Sequence, residues 1–120
     1  MEKLGPRSVK LMQEFVGTIK SHQLTRALDV AGGDGRFSGD LLLRRYEKTD
    51  LFDQRPVGAA KAQELFRYKR SAGKVCVASM EHYRFAFKYT GIYMIWCSGY
   101  LSEEKLVEFL KAAKKHLCNS

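Results

Sequence analysis

No apolar run in these 120 residues approaches the ~20 needed to cross a bilayer as a helix. The N-terminus carries Glu2, Gly5 and Pro6 where a signal peptide would place its apolar stretch. Both absences predict a soluble, intracellular chain, cytoplasmic or nuclear, with no membrane partner. Cysteine is scarce as well. Cys76, Cys97 and Cys118 are odd in number and have no C-x-x-C spacing, so neither a disulfide framework nor a metal site is expected. No repeat, low-complexity segment or internal linker breaks the chain. With 45% hydrophobic residues it can bury one core, which predicts a single domain over residues 1–120.

Acidic residues are outnumbered, and the formal net charge is +8. The excess gathers at Arg44, Arg45 and Lys48, at Arg67, Lys69, Arg70 and Lys74, and at Lys111, Lys114 and Lys115. Most of these positions fall in the last turns of expected helices, where a cation complements the macrodipole and faces water. Their summed field nonetheless favours anionic partners, RNA included.

Periodicity orders the chain as alternating helix and strand. Val9, Met12, Phe15, Val16 and Ile19 recur at helical spacing and predict a helix over about 7–20. Leu28 and Val30 mark a first strand, and Phe37, Leu41 and Leu42 face the sheet from a crossover helix. TDLFD, residues 49–53, is the second strand. Pro56 suits the first turn of the next helix, with Val57, Ala60 and Leu65 as its expected buried stripe. KVCVAS, residues 74–79, and GIYMIWC, residues 91–97, read as strands three and four. Ser102 reads as an N-cap before Glu103 and Glu104, and Leu106, Phe109, Leu110, Ala113 and Leu117 form the last buried face. Such alternation implies a largely parallel sheet.

The chemistry concentrates in ALDVAGGDGRFSGD, residues 27–40. A buried strand runs there into a glycine loop that opens a helix, and Asp53 closes the next strand. This arrangement holds a nucleoside-bearing cofactor at the carboxyl end of a parallel sheet. Gly32, Gly33 and Gly35 are expected to allow positive φ and close approach of a ligand. A carboxylate at the tip of strand two can accept both ribose hydroxyls. Ser38 stands where a dinucleotide loop wants its third glycine, and Asp34 would repel a pyrophosphate. A sulfonium cofactor with an amino-acid tail has no phosphate to repel, and Asp29 suits the tail's ammonium. These details favour S-adenosylmethionine over a dinucleotide.

RALDVAGGDGRFSGDLLL, residues 26–43, followed by TDLFD, resembles motif I and the second strand of the α-N-terminal protein methyltransferases. That family is a class I S-adenosylmethionine-dependent one. YTGIYMIWCSGYLSEEKLVEFLKAAKKHL, residues 89–117, is similar to its fourth strand, Trp-containing loop and following helix; GPRSVKLMQEFV resembles the helix before its first strand. The resemblance implies an α/β, Rossmann-like class I methyltransferase fold: a three-layer sandwich with a mostly parallel sheet, incomplete at the C-terminal side. It places a cofactor-binding core at about 26–117. The activity it implies is methyl transfer to a protein α-amine or a related nucleophile, with a protein N-terminal peptide as substrate.

Site residues carry over where positions match. Ala31, Gly33 and Gly35 align with the glycine loop, Arg36 with an arginine near the cofactor carboxylate, and Asp53 with the ribose-binding acid. Ser79 and Met80 fall where the family frames the adenine, and Ile95 where it has a polar residue beside the cofactor. Trp96 aligns with an aromatic that packs on the substrate N-terminus, and Tyr100 with a histidine that positions or deprotonates the amine. Several positions depart from the pattern. Ala31 replaces a glycine, adding roughly 1 kcal/mol or more of strain if the position needs positive φ. Tyrosine, with a reference pKa near ~10, is a poor base at neutral pH. His82 is an alternative base, although a lone histidine in a charged stretch is ordinarily just solvated. A basic surface does not obviously suit basic N-terminal tails. These departures leave a second reading open, a catalytically inactive methyltransferase-like subunit that binds a protein or RNA partner. GIYMIWC, apolar on both faces, is also expected to be an interior strand, so its outer edge should be covered by a second copy in a homodimer or by a partner subunit.

Overall fold

The computed structural model describes residues 24–95 and 102–118. The helix expected over about 7–20, Trp96 and Tyr100 lie outside the described residues. The chain folds as β1 (Arg26–Val30), α1 (π-helical over Ser38–Leu42, then α-helical over Leu43–Arg45), β2 (Lys48–Asp53), α2 (Pro56–Phe66), β3 (Ala72–Val77), β4 (Gly91–Tyr93) and α3 (Glu103–Lys115). The strands order as β3-β2-β1-β4, and every pair is parallel.

Period-two alternation along the strands builds two faces. Leu28, Val30 and Phe52 point to one side, where Leu106, Phe109, Leu110 and Ala113 of α3 cover them together with Met80, Tyr89 and Ile92. Ala27 and Leu51 point to the other, against Leu42, Leu43 and Tyr46 at the end of α1 and against Ala62 and Phe66 of α2. The result is the expected three-layer α/β sandwich. Ser102 caps α3, its Oγ accepting from the Lys105 N–H at 3.4 Å. All five residues expected on the last buried face are at most 5% exposed.

Three expectations are corrected. In α2 the buried residues are Ala59, Ala62 and Phe66, while Val57 is 69% exposed and Leu65 38%. The true stripe runs at i, i+3, i+7; counting apolar residues alone put it on the wrong face, because two small alanines meet the sheet while larger side chains face out. Strand three spans Ala72–Val77, two residues earlier than expected, although the Ala78 N–H still donates to Asp53 O at 3.0 Å. Strand four is only Gly91–Tyr93 among the described residues, with Ile95 beyond its end. Beside its start, Leu117 bridges Tyr89 in parallel: Tyr89 N–H donates to His116 O and Cys118 N–H to Tyr89 O, both at 2.7 Å. A single bridge thus sets the backbone after α3 beside Tyr89, ahead of β4, while β4 itself is at the edge of the sheet among the described residues.

A buried polar cluster fixes the amino-terminal half of the sheet. Asp50, 2% exposed, accepts two bonds from Arg26 at 2.7 and 2.8 Å. The Lys74 N–H at 2.7 Å and the Tyr89 hydroxyl at 2.6 Å complete its partners. Arg26 in turn lies 3.6 Å from the centre of the Phe87 ring. Burial, reinforced by the bond to Asp50, pushes the Tyr89 hydroxyl pKa well above its ordinary range, which keeps it a donor.

Candidate active site

The glycine loop leaves β1 through Ala31 at φ 52°, followed by Gly33 at φ 60° and Gly35 at φ 85°. Ala31 therefore does hold the strained conformation that a glycine would take freely, at a cost of about 1–2 kcal/mol. Gly32, expected to supply positive φ, has another task. A Cβ there would lie 2.5 Å from Leu51 Cδ1 and 2.8 Å from Asp29 Cγ, so the position has no space for a side chain. A Cβ at Gly35 would lie 3.2 Å from Ala62, so its absence lets α1 start against α2.

Asp53 closes β2 at 3% exposure. Its Oδ2 accepts from the Gly33 N–H and its Oδ1 from the Arg55 N–H, both at 2.9 Å, with Arg55 Nε at 3.4 Å from Oδ1. The carboxylate thereby ties the loop to the start of α2; Oδ1 already takes two donors, and Oδ2 keeps a lone pair for a further one. Asp29, 2% exposed, accepts from Ser38 Oγ at 2.7 Å, the serine projecting from the π-helical turn. Burial raises the Asp29 pKa to about 6, only partly offset by its bonds from Ser38 and slightly assisted by the nearby Asp53 charge.

These groups line one cavity of about 770 Å³ at the carboxyl ends of the strands. It brings together Asp29, Ala31, Gly33, Arg36, Asp53, Ser79, Met80 and Ile95. Gly35 is the one described cofactor position that does not line it. Ile95 is 44% exposed at the rim. Ser79 Oγ lies 2.8 Å from His82 Nδ1, so the histidine is bonded to the wall rather than merely solvated. Trp96 and Tyr100, the acceptor-side pair, lie outside the described residues.

Sequence reasoning missed Arg55, Lys61 and Glu81, which also line the cavity. Arg55 had a readable signal: it stands two residues after the carboxylate at the tip of β2, within a turn's reach. Glu81 is tied to Lys105 of α3 at 2.8 Å, a long-range pair with no local signature. The lining holds five carboxylates, Asp29, Asp34, Asp40, Asp53 and Glu81, against the three cations Arg36, Arg55 and Lys61. In a chain of net charge +8 the cavity is thus locally acidic. The cavity therefore does not share the basic character of the rest of the surface. Among the described residues no group of three or more His, Cys, Asp and Glu is placed to hold a metal ion, and no helix is long and apolar enough to cross a membrane.

The family model for AdoMet-dependent proline di-methyltransferases matches residues 7–120. The chain belongs to this family. S-adenosylmethionine is the family's cofactor. The chain is 28% identical over 112 residues to the alpha N-terminal protein methyltransferase 1 of Arabidopsis thaliana, covering 89% of this chain and 41% of that one. It is 32% identical over 111 residues to the N-terminal Xaa-Pro-Lys N-methyltransferase 1-B of Xenopus laevis, covering 89% and 49%. A SAM-dependent methyltransferase from Leishmania major superposes with a TM-score of 0.77 at 28% identity, over 92% of this chain and 45% of that one. The chain spans half or less of the length of these relatives.

Proposed function

We propose that the cavity holds S-adenosylmethionine and that the chain takes part in methyl transfer to a protein α-amine, of the N-terminal Xaa-Pro-Lys kind named for its relatives. The observation that carries this reading is the acidic cavity, in which Asp29 and Asp53 stand beside a backbone loop stripped of side chains at Gly32 and Gly33. The donor set fits a cationic nucleoside: carboxylates for a ribose and an ammonium, one arginine for a carboxylate, and no phosphate cradle. When bound, the cofactor supplies an electrophilic methyl group on a sulfonium.

The roles follow from position. Asp53 would hold the ribose through Oδ2, Asp29 the tail ammonium, and Arg36 the tail carboxylate. Gly33 and Gly35 give the loop its path. Ala31 narrows the methionine end, Ser79 and Met80 face the adenine, and Ile95 supplies an apolar rim. Trp96 is proposed to wall the acceptor amine through cation–π attraction, and Tyr100 to orient it. Alignment and exclusion of water supply most of what a direct displacement needs, so a strong base is not essential. Retention of Asp29, Gly33, Arg36 and Asp53 favours this over an inactive subunit.

Radiolabelled methyl transfer to a free N-terminal Ser-Pro-Lys peptide tests the reading. Label should reach the peptide and not its N-acetylated form, and Trp96→Ala should lose transfer while keeping cofactor affinity. Cofactor binding without transfer to any free α-amine would remove the acceptor assignment and leave only the cofactor site.

A further inference from the structure

The loop between α2 and β3 reads Arg67-Tyr68-Lys69-Arg70, and it behaves unlike the rest of the surface. Phe66, the last residue of α2, is 2% exposed, yet Tyr68 two residues later is 97% exposed. Tyr68 also holds φ 65°, one of two non-glycine residues with positive φ among the described residues. The chain therefore holds an aromatic ring wholly in water on a strained backbone. Ordinary folding forces favour neither.

Two hydrogen bonds tie this loop to two other basic element ends. Lys48 Nζ donates to Arg70 O at 2.8 Å, at the first residue of β2. Ser71 Oγ donates to Leu43 O at 2.6 Å, which brings the end of α1 with Arg44 and Arg45 alongside. Arg44 and Lys69 line one groove together with Arg36, Asp34 and Asp40. The Arg67 guanidinium lies 5.9 Å over the Tyr68 ring and 3.3 Å from Glu64. Arg44, Arg45, Lys69 and Arg70 are exposed. Complementing a helix macrodipole explains Arg44 and Arg45. It does not explain an exposed tyrosine between cations on a helix-exit loop.

We infer that this face, made by residues 67–70 with Arg44, Arg45 and Lys48, binds single-stranded RNA. Tyr68 stacks on a base, and the cations follow the phosphates. Interleaved aromatic and basic side chains are the means by which proteins hold unpaired strands with little sequence preference. Asp34 and Asp40 repel phosphates, so the strand keeps to the basic side chains of residues 67–70, Arg44, Arg45 and Lys48. The face lies at the amino ends of β2 and β3, its groove reaches Asp34, Arg36 and Asp40 that also line the cavity, and its use does not depend on methyl transfer.

Fluorescence anisotropy of the full chain with a labelled oligouridylate dodecamer tests this without cofactor. Affinity should fall with salt at a log–log slope of roughly −3, as about four phosphate contacts on a single strand require. Tyr68→Ala should weaken binding by about 5- to 100-fold, and Tyr68→Trp should restore it. Because Tyr68 touches little of the core, its loss does not threaten the fold; an unchanged thermal melt confirms that. Duplex RNA of the same length and heparin should bind more weakly than the single strand. No binding at low salt, an unaffected Tyr68→Ala variant, or equal binding of heparin would each overturn the inference.

Discussion

Asp29 and Asp53 at the carboxyl ends of β1 and β2 are as deeply buried as Asp50 in the first half of β2, yet their surroundings differ. Asp50 is enclosed by two bonds from Arg26, one backbone N–H and one tyrosine hydroxyl, and has no room for a further partner. Asp29 is held by Ser38 alone, through its hydroxyl and its backbone N–H, with no cation, and its pKa has risen to about 6. Asp53 has two backbone donors and an arginine held at 3.4 Å. A fully satisfied carboxylate is part of the scaffold, whereas an under-satisfied one beside a cavity is a site waiting for donors. The positive φ of Ala31 falls on the same side of this division, whereas the amino end combines the closed Asp50 network with a strained Tyr68 and a buried Thr49 hydroxyl that has no partner among the described residues.

The largest expected effect is at the closed end. Asp50→Ala leaves Arg26 with an uncompensated, mostly buried charge and Tyr89 with only the Tyr83 hydroxyl at 3.2 Å as partner, a loss of about 3–5 kcal/mol. For a small domain whose stability is roughly 5–15 kcal/mol, chemical denaturation should show near-complete loss of the native state or a midpoint shifted far down. A loss under ~1 kcal/mol would show that the network is not what holds this half together.

Asp29→Asn should act with the opposite sign. A carboxyl whose folded pKa lies above its unfolded value contributes stability that is present below about pH 4 and is lost as pH rises through about 6. At pH 7 the neutral amide should therefore stabilise the fold, by up to roughly 3 kcal/mol, while weakening the cofactor. Denaturant melts at pH 5 and pH 7 measure it: the wild type should be the more stable at pH 5, and the variant should lose that pH dependence. A destabilised variant at pH 7 would mean that Asp29 is structural, like Asp50. The smallest effect belongs to Ala31→Gly, which relieves the strained φ and should gain about 0.5–1 kcal/mol while widening the methionine end of the cavity. Thermal melts with and without ligand would separate the two contributions.

Much of this division was legible in the sequence, because it is local. Strand one, the glycine loop and the Asp53 terminus share residues 26–53, and their spacing alone places them at one crevice. The α3 face was readable because its large apolar residues keep an unbroken helical period. The α2 stripe was not, since Ala59 and Ala62 carry too little hydrophobic weight to outrank the exposed Val57 and Leu65. Nor was the Asp50 network, whose partners at positions 26, 74 and 89 meet only through strand register. The strain at Ala31 was foreseen as a condition on φ. The steric requirement at Gly32 was not, because it depends on Leu51 and Asp29 lying beneath it.

Isothermal titration of the chain with S-adenosylhomocysteine tests most directly whether the open, acidic end is a cofactor site. One ligand should bind per chain at pH 7.5, with affinity falling as Asp29 is protonated below about pH 6 and with no comparable binding of the phosphate-bearing NAD. No heat at millimolar ligand with a folded chain, or equal binding of NAD, would contradict the account.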